Sequence, residues 1–382
     1  MRRRLIYLLK HNTLIQAIYR FVMSLFFRTM GIFVRQDEKM VLFVSFMGLG
    51  FNDSPKAIYE YMTTHAEYEQ YDCIWAFENP SNYPTLKTVK IDSLAYFKTA
   101  LKAKYWITNT NIERGLRFKR STQVYLNTWH GIPLKYVGND CPGRKDYNFK
   151  TIDHLVVSGR YDEEVWKSAF NADERTYLKC GMPRNDELWL SDDEKKQAMR
   201  QKLNIPANKK VILYAPTWRE STNKGKSYDI KPPIHFDTWK QELGDEYIVL
   251  FRAHHQTTRI LGVQFDEFVR NASDYPAIND LMIASDMLIT DYSAIAFDYS
   301  VLCRPIFCYA YDYDEYLAER GTYFEIDDRY PNKSCRDEGE LLVRIKKCDY
   351  EKECNNTRCF RDRFIQYGVG ATETCVKAVF GK

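Results

Sequence analysis

From residue 40 onward, short apolar runs alternate with helix-patterned stretches, and this alternation restricts the possible folds more than any other feature. "MVLFVSF", "YDCIWAF", "YWITNT", "VYLNTW" and "HLVVSG" read as strands, because each is a brief run rich in β-branched and aromatic residues. "NDSPKAIYEYMTTH", "DSLAYFKTALKAK" and "RYDEEVWKSAF" read as helices between them. In the first of these, Asp53 and Ser54 before Pro55 form a cap-and-first-turn signature. A second series runs through "KVILYAPTW", "YIVLFRAH", "DMLITDYS" and "RPIFCYA". A charged helix, "SDDEKKQAMRQKLNIPANKK", separates the two series, and Pro206–Lys210 at its end is the best linker. Repeated β/α alternation of this kind gives parallel sheets with helices on both faces. The expectation is an α/β protein of two doubly wound, Rossmann-like domains, residues 37–205 and 206–382, facing a cleft. A chain of 382 residues is also too long for one comfortable core.

Ligands in such folds bind beyond the carboxyl ends of the strands, so strand ends are where chemistry is expected. "GLGFND" from Gly48 places Asp53 where a dinucleotide fingerprint needs its third glycine, and no phosphate-loop motif occurs. Three other strand ends carry suitable residues. In "LNTWHGIPLKYVG", His130 follows a strand and precedes Gly131; a neutral imidazole there can take a proton from a substrate hydroxyl, or simply cap the strand. In "LFRAHHQ", alternation puts Arg252 and His254 on one face, suited either to phosphate oxygens or to solvent. In "ITDYSAIAFDYSVL", Thr290 and Ser293 stand where a helix begins, a geometry shared by caps and by phosphate sites. Asp298 lies further along, within reach of a ribose hydroxyl.

The amino-terminal segment differs from the rest. Residues 1–36 hold seven Lys/Arg and no acid, so the remainder of this +4 chain carries a net −3, and a basic body for gripping nucleic acid is excluded. In "TLIQAIYRFVMSLFFRTMGIFV", Gln16, Arg20, Ser24 and Arg28 recur every four positions and draw one polar stripe on a helix, with Leu14, Ile15, Ile18, Phe21, Val22, Leu25 and Phe26 around it. Charges interrupt this stretch too often for a membrane span, and no small-residue cleavage site follows it. The expectation for residues 1–36 is an amphipathic helix on an anionic membrane surface, aided by Arg2–Arg4; the alternative is packing on the chain's own first domain. The ten cysteines are scattered without a C-x-x-C, which suits free thiols rather than disulfides or zinc.

With "NTWHGIPLKYVG", "GMPRNDELW", "ILYAPTWRE", "FRAHHQ" and "LITDYSAIAFDY" in that order, the chain resembles the CDP-glycerol glycerophosphotransferase family of teichoic acid synthesis over residues 40–370. That resemblance implies a GT-B fold, peripheral attachment to the cytoplasmic face of a bacterial membrane, and transfer of glycerol phosphate or ribitol phosphate from its CDP-activated form to a polyprenyl-diphosphate-linked saccharide or polyol phosphate, releasing CMP. It implies that His130 is the general base, that His254 contacts the donor diphosphate, that Thr290 and Ser293 lie near the phosphates, and that Asp298 lies near the nucleotide. Arg252 and Arg219 complete the expected donor contacts. No metal or cofactor is implied, since the five motifs contain no D-x-D-like cluster. The chain departs from the family in two places: Ala294 stands where a second serine is common, and His255 stands where proline often follows the histidine. The competing readings are a nucleotide-sugar transferase on the same scaffold and a catalytically silent membrane-bound scaffold; the retained His130 and His254 argue against the latter.

Overall fold

The computed structural model describes residues 13–217, 229–231, 233–253, 257 and 259–381. The first sheet contains β1 (Asp37–Val44), β2 (Asp72–Phe77), β3 (Thr88–Lys90), β4 (Ala103–Thr108), β5 (Val124–Asn127), β6 (His154–Val157) and β7 (Tyr177–Lys179). Its strands run parallel in the order β3-β2-β1-β4-β5-β6-β7. Val41 of β1 pairs with Cys73 on one side and Tyr105 on the other. The order reverses at β1, and the crevice at the carboxyl ends of β1 and β4 is the topological switch point where such sheets bind ligands. β1 reads as an unbroken apolar run because both faces are covered: Val41, Leu42, Phe43 and Val44 are all buried.

The second sheet contains β8 (Lys210–Tyr214), β10 (Tyr247–Phe251), β12 (Val269–Asn271), β13 (Met287–Thr290) and β14 (Ile306–Cys308), parallel in the order β12-β10-β8-β13-β14. Two short strands, β9 (Asp229–Ile230) and β11 (Arg259–Ile260), pair separately. The short strands β3, β7 and β12 have too few apolar residues to stand out as runs, and only the sheet neighbours reveal them.

The segments joining the two units exchange sides. The helix Asp193–Lys202, just before the 205/206 boundary, packs toward the second sheet: Lys196 and Arg200 both bond Asp286, and Lys202 bonds Asp280. The helix Ala371–Phe380 at the other end of the chain returns to the first sheet, where Ala371, Cys375, Val376 and Phe380 share a core with Val41, Trp75 and Ile107. Each unit is thus closed partly by a helix lying across the sequence boundary.

The helix Thr13–Phe33 contains the expected polar stripe, but turned inward. Arg20 pairs with Asp146 at 3.2 Å, the Ser24 hydroxyl accepts from Arg117 N, and Arg28 Nε donates to the Arg117 carbonyl. Phe27 is buried against Phe97 and Phe118. Leu14, Ile18, Phe21, Val22, Leu25 and Phe26 stand exposed, Phe21 at 70%. The helix therefore both packs on its own first domain and presents an apolar face outward. Among the described residues, no helix is long and apolar enough to cross a membrane.

Candidate functional site

The carboxyl ends of β1, β4 and β5 converge at His130. After β4, Asn109 is locked in place: its side-chain oxygen accepts from Phe46 N at 2.8 Å, and its amide reaches Ser45 Oγ at 3.4 Å. Ser45 and Asn109 are both fully buried. So held, the Asn109 carbonyl lies 2.8 Å from His130 Nδ1. A carbonyl can only accept, so Nδ1 carries the proton, and the neutral ring keeps its lone pair on Nε2. This is the tautomer a general base needs. The neighbouring Trp129 stacks on the imidazole at 4.2 Å. Its own indole is anchored against Phe170, Trp166 and Phe149. Trp129 takes a left-handed backbone (φ +52°), and its N–H bonds Asn127 Oδ1 at 2.8 Å. A strained backbone braced this heavily fixes where the ring points.

Immediately after His130 the chain crosses to the other unit. Ile132 and Leu134 are buried in the core formed by Leu213, Leu281, Tyr292 and Phe297 of the second domain. Lys135 and Thr322 form an antiparallel bridge, and Tyr323 N donates to the Leu134 carbonyl at 2.9 Å. The loop bearing His130 is therefore also a strap between the domains. At its turn, a Cβ on Gly131 (φ +143°) would lie 3.2 Å from Ala294 Cβ, so His130's neighbour abuts the loop carrying Ser293.

On the second domain's side, the Ser293 hydroxyl is half-buried and accepts weakly from Ile295 N at 3.4 Å. The helix that follows, Ile295–Ser300, is six residues long. Thr290 is fully buried at the end of β13, and its hydroxyl donates to the Ala215 carbonyl at 2.8 Å, tying β13 to β8. Arg252 directs Nη1 to the carbonyls of Ala272 (2.7 Å) and Tyr275. Burial lowers its pKa from the ordinary arginine value, opposed by Asp274. His254 and Arg219, with His255, lie outside the described residues.

Asp298 sits in an arrangement its sequence position did not suggest. Its Oδ2 accepts from Arg184 Nη2 at 2.8 Å and its Oδ1 from Asn185 Nδ2 at 2.7 Å, while Arg184 Nη1 bonds Asp53 Oδ2 at 2.7 Å. All three charged side chains are largely buried. Burial disfavours charge on Arg184, but Asp298 and Asp53 outweigh it and hold the guanidinium above its ordinary pKa. Asp53 therefore serves this triad; it is the first residue of the helix Asp53–Thr64, and no side-chain cap bond precedes it. Arg184 lies within "GMPRNDELW", one of the five motifs, and that placement was the available signal. A shallow cavity of about 590 Å³ opens along the strap that follows His130, lined by Tyr136, Asp140, Cys141, Lys145, Ser168 and Tyr323.

Residues 26–381 match the CDP-glycerol:poly(glycerophosphate) glycerophosphotransferase family. The teichoic acid poly(glycerol phosphate) polymerase of Staphylococcus epidermidis is 37% identical over 87% of this chain, which spans 49% of that protein's length. The teichoic acid glycerol-phosphate transferase of Staphylococcus aureus is 35% identical, with 82% of this chain and 85% of the relative covered. The poly(glycerol phosphate) polymerase of Bacillus spizizenii is 32% identical over 94% of both chains. Among solved structures, the wall teichoic acid polymerase TagF is 34% identical and superposes with a TM-score of 0.79 over 93% of this chain and 90% of its own. With paired α/β domains, His130 at the switch-point crevice and a match spanning both domains, the chain belongs to the CDP-glycerol:poly(glycerophosphate) glycerophosphotransferase family.

Proposed function

We propose that the protein transfers glycerol phosphate, or ribitol phosphate, from a CDP-activated donor to a hydroxyl of a membrane-lipid-linked acceptor, releasing CMP. The single observation that carries this reading is the 2.8 Å approach of His130 Nδ1 to the Asn109 carbonyl, which commits the Nδ1 proton there and puts the neutral ring's lone pair on Nε2. The imidazole takes the acceptor hydroxyl's proton as its oxygen bonds to the donor's distal phosphorus. The bond from that phosphorus to the bridging oxygen breaks, and CMP leaves with the bridging oxygen. Such a displacement needs positioning and charge stabilisation more than covalent participation by the protein. The relatives' names as glycerol-phosphate polymerases and transferases support the donor class, as does a TagF structure soaked with CDPG.

In this reading the first domain binds the acceptor, and the second binds the donor through Ser293 and Arg252 together with His254 and Arg219. Asp298 can still accept a ribose hydroxyl, since each carboxylate oxygen has more than one lone pair. The outward apolar face of the helix Thr13–Phe33 rests on the cytoplasmic membrane surface, bringing the site to an acceptor anchored in the bilayer. The test is CMP release from purified protein with CDP-glycerol or CDP-ribitol and a detergent-solubilised lipid-linked acceptor. Acceptor-dependent CMP from one donor supports the reading and identifies the polyol. Silence with both donors, in folded protein, overturns it.

A further inference from the structure

Four segments distant in sequence meet at Arg184. Asp53 follows β1, Gly131 follows His130, Arg184 follows β7, and Asp298 follows Ser293. Arg184 Nη1 and Nη2 bond the two carboxylates, Asn279 Nδ2 donates to its carbonyl at 2.7 Å, and a Cβ on Gly131 would lie 3.4 Å from Nη2. The guanidinium thus touches the base-bearing loop of one domain and holds the helix behind the Ser293 loop of the other. One cation shared by two buried carboxylates leaves the triad net negative, so it is ill-suited to receive a diphosphate itself. A planar fork bonded at both ends does fix the separation of the groups it joins.

We infer that Arg184 is a positioning residue that sets the approach of His130 to the donor-side loop at Ser293, through paired bonds to Asp53 and Asp298. This rests on the proposed transfer reaction. Displacing a reacting group by about 1 Å can cost on the order of a hundredfold in rate without loss of binding, so the effect belongs in kcat rather than in donor affinity.

Arg184→Met alone strands two buried carboxylates and can unfold the protein, so the test uses Arg184→Met combined with Asp53→Asn and Asp298→Asn. Because Asp298 can itself accept the donor's ribose hydroxyl, the reference is Asp298→Asn alone; the triple variant is expected to keep that reference's circular dichroism spectrum and donor Kd to within about threefold, while kcat falls about a hundredfold below it. Arg184→Lys keeps the charge but not the fork and should recover about tenfold of that loss. A second readout is independent of the reaction: amide hydrogen exchange should quicken in residues 128–138 and 291–300 together. A folded triple variant with near-normal kcat and unchanged exchange in both segments would overturn the inference. So would a rise in donor Kd above that of Asp298→Asn with kcat preserved, which would make Arg184 a binding residue. If wild-type protein releases no CMP, the transfer reading fails, and the exchange measurement still decides whether Arg184 couples the two loops.

Discussion

His130 donates from Nδ1 to the backbone carbonyl of Asn109 at 2.8 Å, joining the end of β5 to the end of β4 beside the switch-point crevice. The bond fixes both the ring's tautomer and its direction. A histidine merely capping a strand would not need its acceptor group braced by buried Ser45 and Phe46 N.

Because Asn109's side chain holds that carbonyl in place, Asn109→Ala should act on His130 from a distance. The Phe46 N–H loses its buried partner, a cost of about 1–3 kcal/mol. Thermal unfolding should register that loss, and steady-state kinetics should show kcat lowered with donor KM unchanged.

Gly131 is constrained twice, by its positive φ and by its closeness to Ala294 and Arg184. Gly131→Ala should cost about 1–3 kcal/mol of stability and lower turnover more than the stability loss explains. Gly370→Ala is the control: its φ is +75°, but nothing lies within 4 Å of the added Cβ. That variant should lose stability while turnover per folded molecule stays the same.

Ile132 joins the base-bearing loop to the second domain's core, so truncating it should affect both stability and chemistry. Ile132→Ala is expected to cost about 2–5 kcal/mol and to reduce kcat. Leu101→Ala, equally buried but within the first domain's core, should cost a similar amount and leave kcat unaffected. Denaturant unfolding paired with kinetics on the two variants separates the strap from ordinary core packing.

The outward helix face makes a membrane prediction. Phe21→Glu with Leu25→Glu removes two exposed apolar side chains from the helix Thr13–Phe33 without touching its inward contacts. At about 1.5–3 kcal/mol for each large apolar side chain buried, partitioning onto anionic vesicles should weaken by at least tenfold, with thermal stability unchanged. Unchanged vesicle binding would contradict a membrane role for this face.

The sequence made the two-sheet architecture legible because parallel strands covered on both faces are continuous apolar runs, as at Val41–Val44 and Tyr247–Phe251. It placed His130 at a strand end for the same reason. It did not reveal the Arg184 triad, whose ion pairs span 131 and 114 residues. Local pattern carries no information about which distant carboxylate meets which guanidinium. Helical periodicity found the stripe of Gln16, Arg20, Ser24 and Arg28 but could not say which way it faced; Asp146 and the Arg117 backbone decided that. Thr290 was legible beside a helix start, but its hydroxyl's bond to the Ala215 carbonyl follows from the register of β13 with β8, which the sequence does not carry.

The most direct test of the account pairs donor binding with turnover in His130→Ala. Calorimetric titration with CDP-glycerol and CDP-ribitol measures binding, and acceptor-dependent CMP release measures turnover. The account expects donor Kd within about threefold of wild type and turnover reduced by the 10²–10⁴-fold typical of losing a general base. A folded His130→Ala protein that releases CMP at close to the wild-type rate would contradict it.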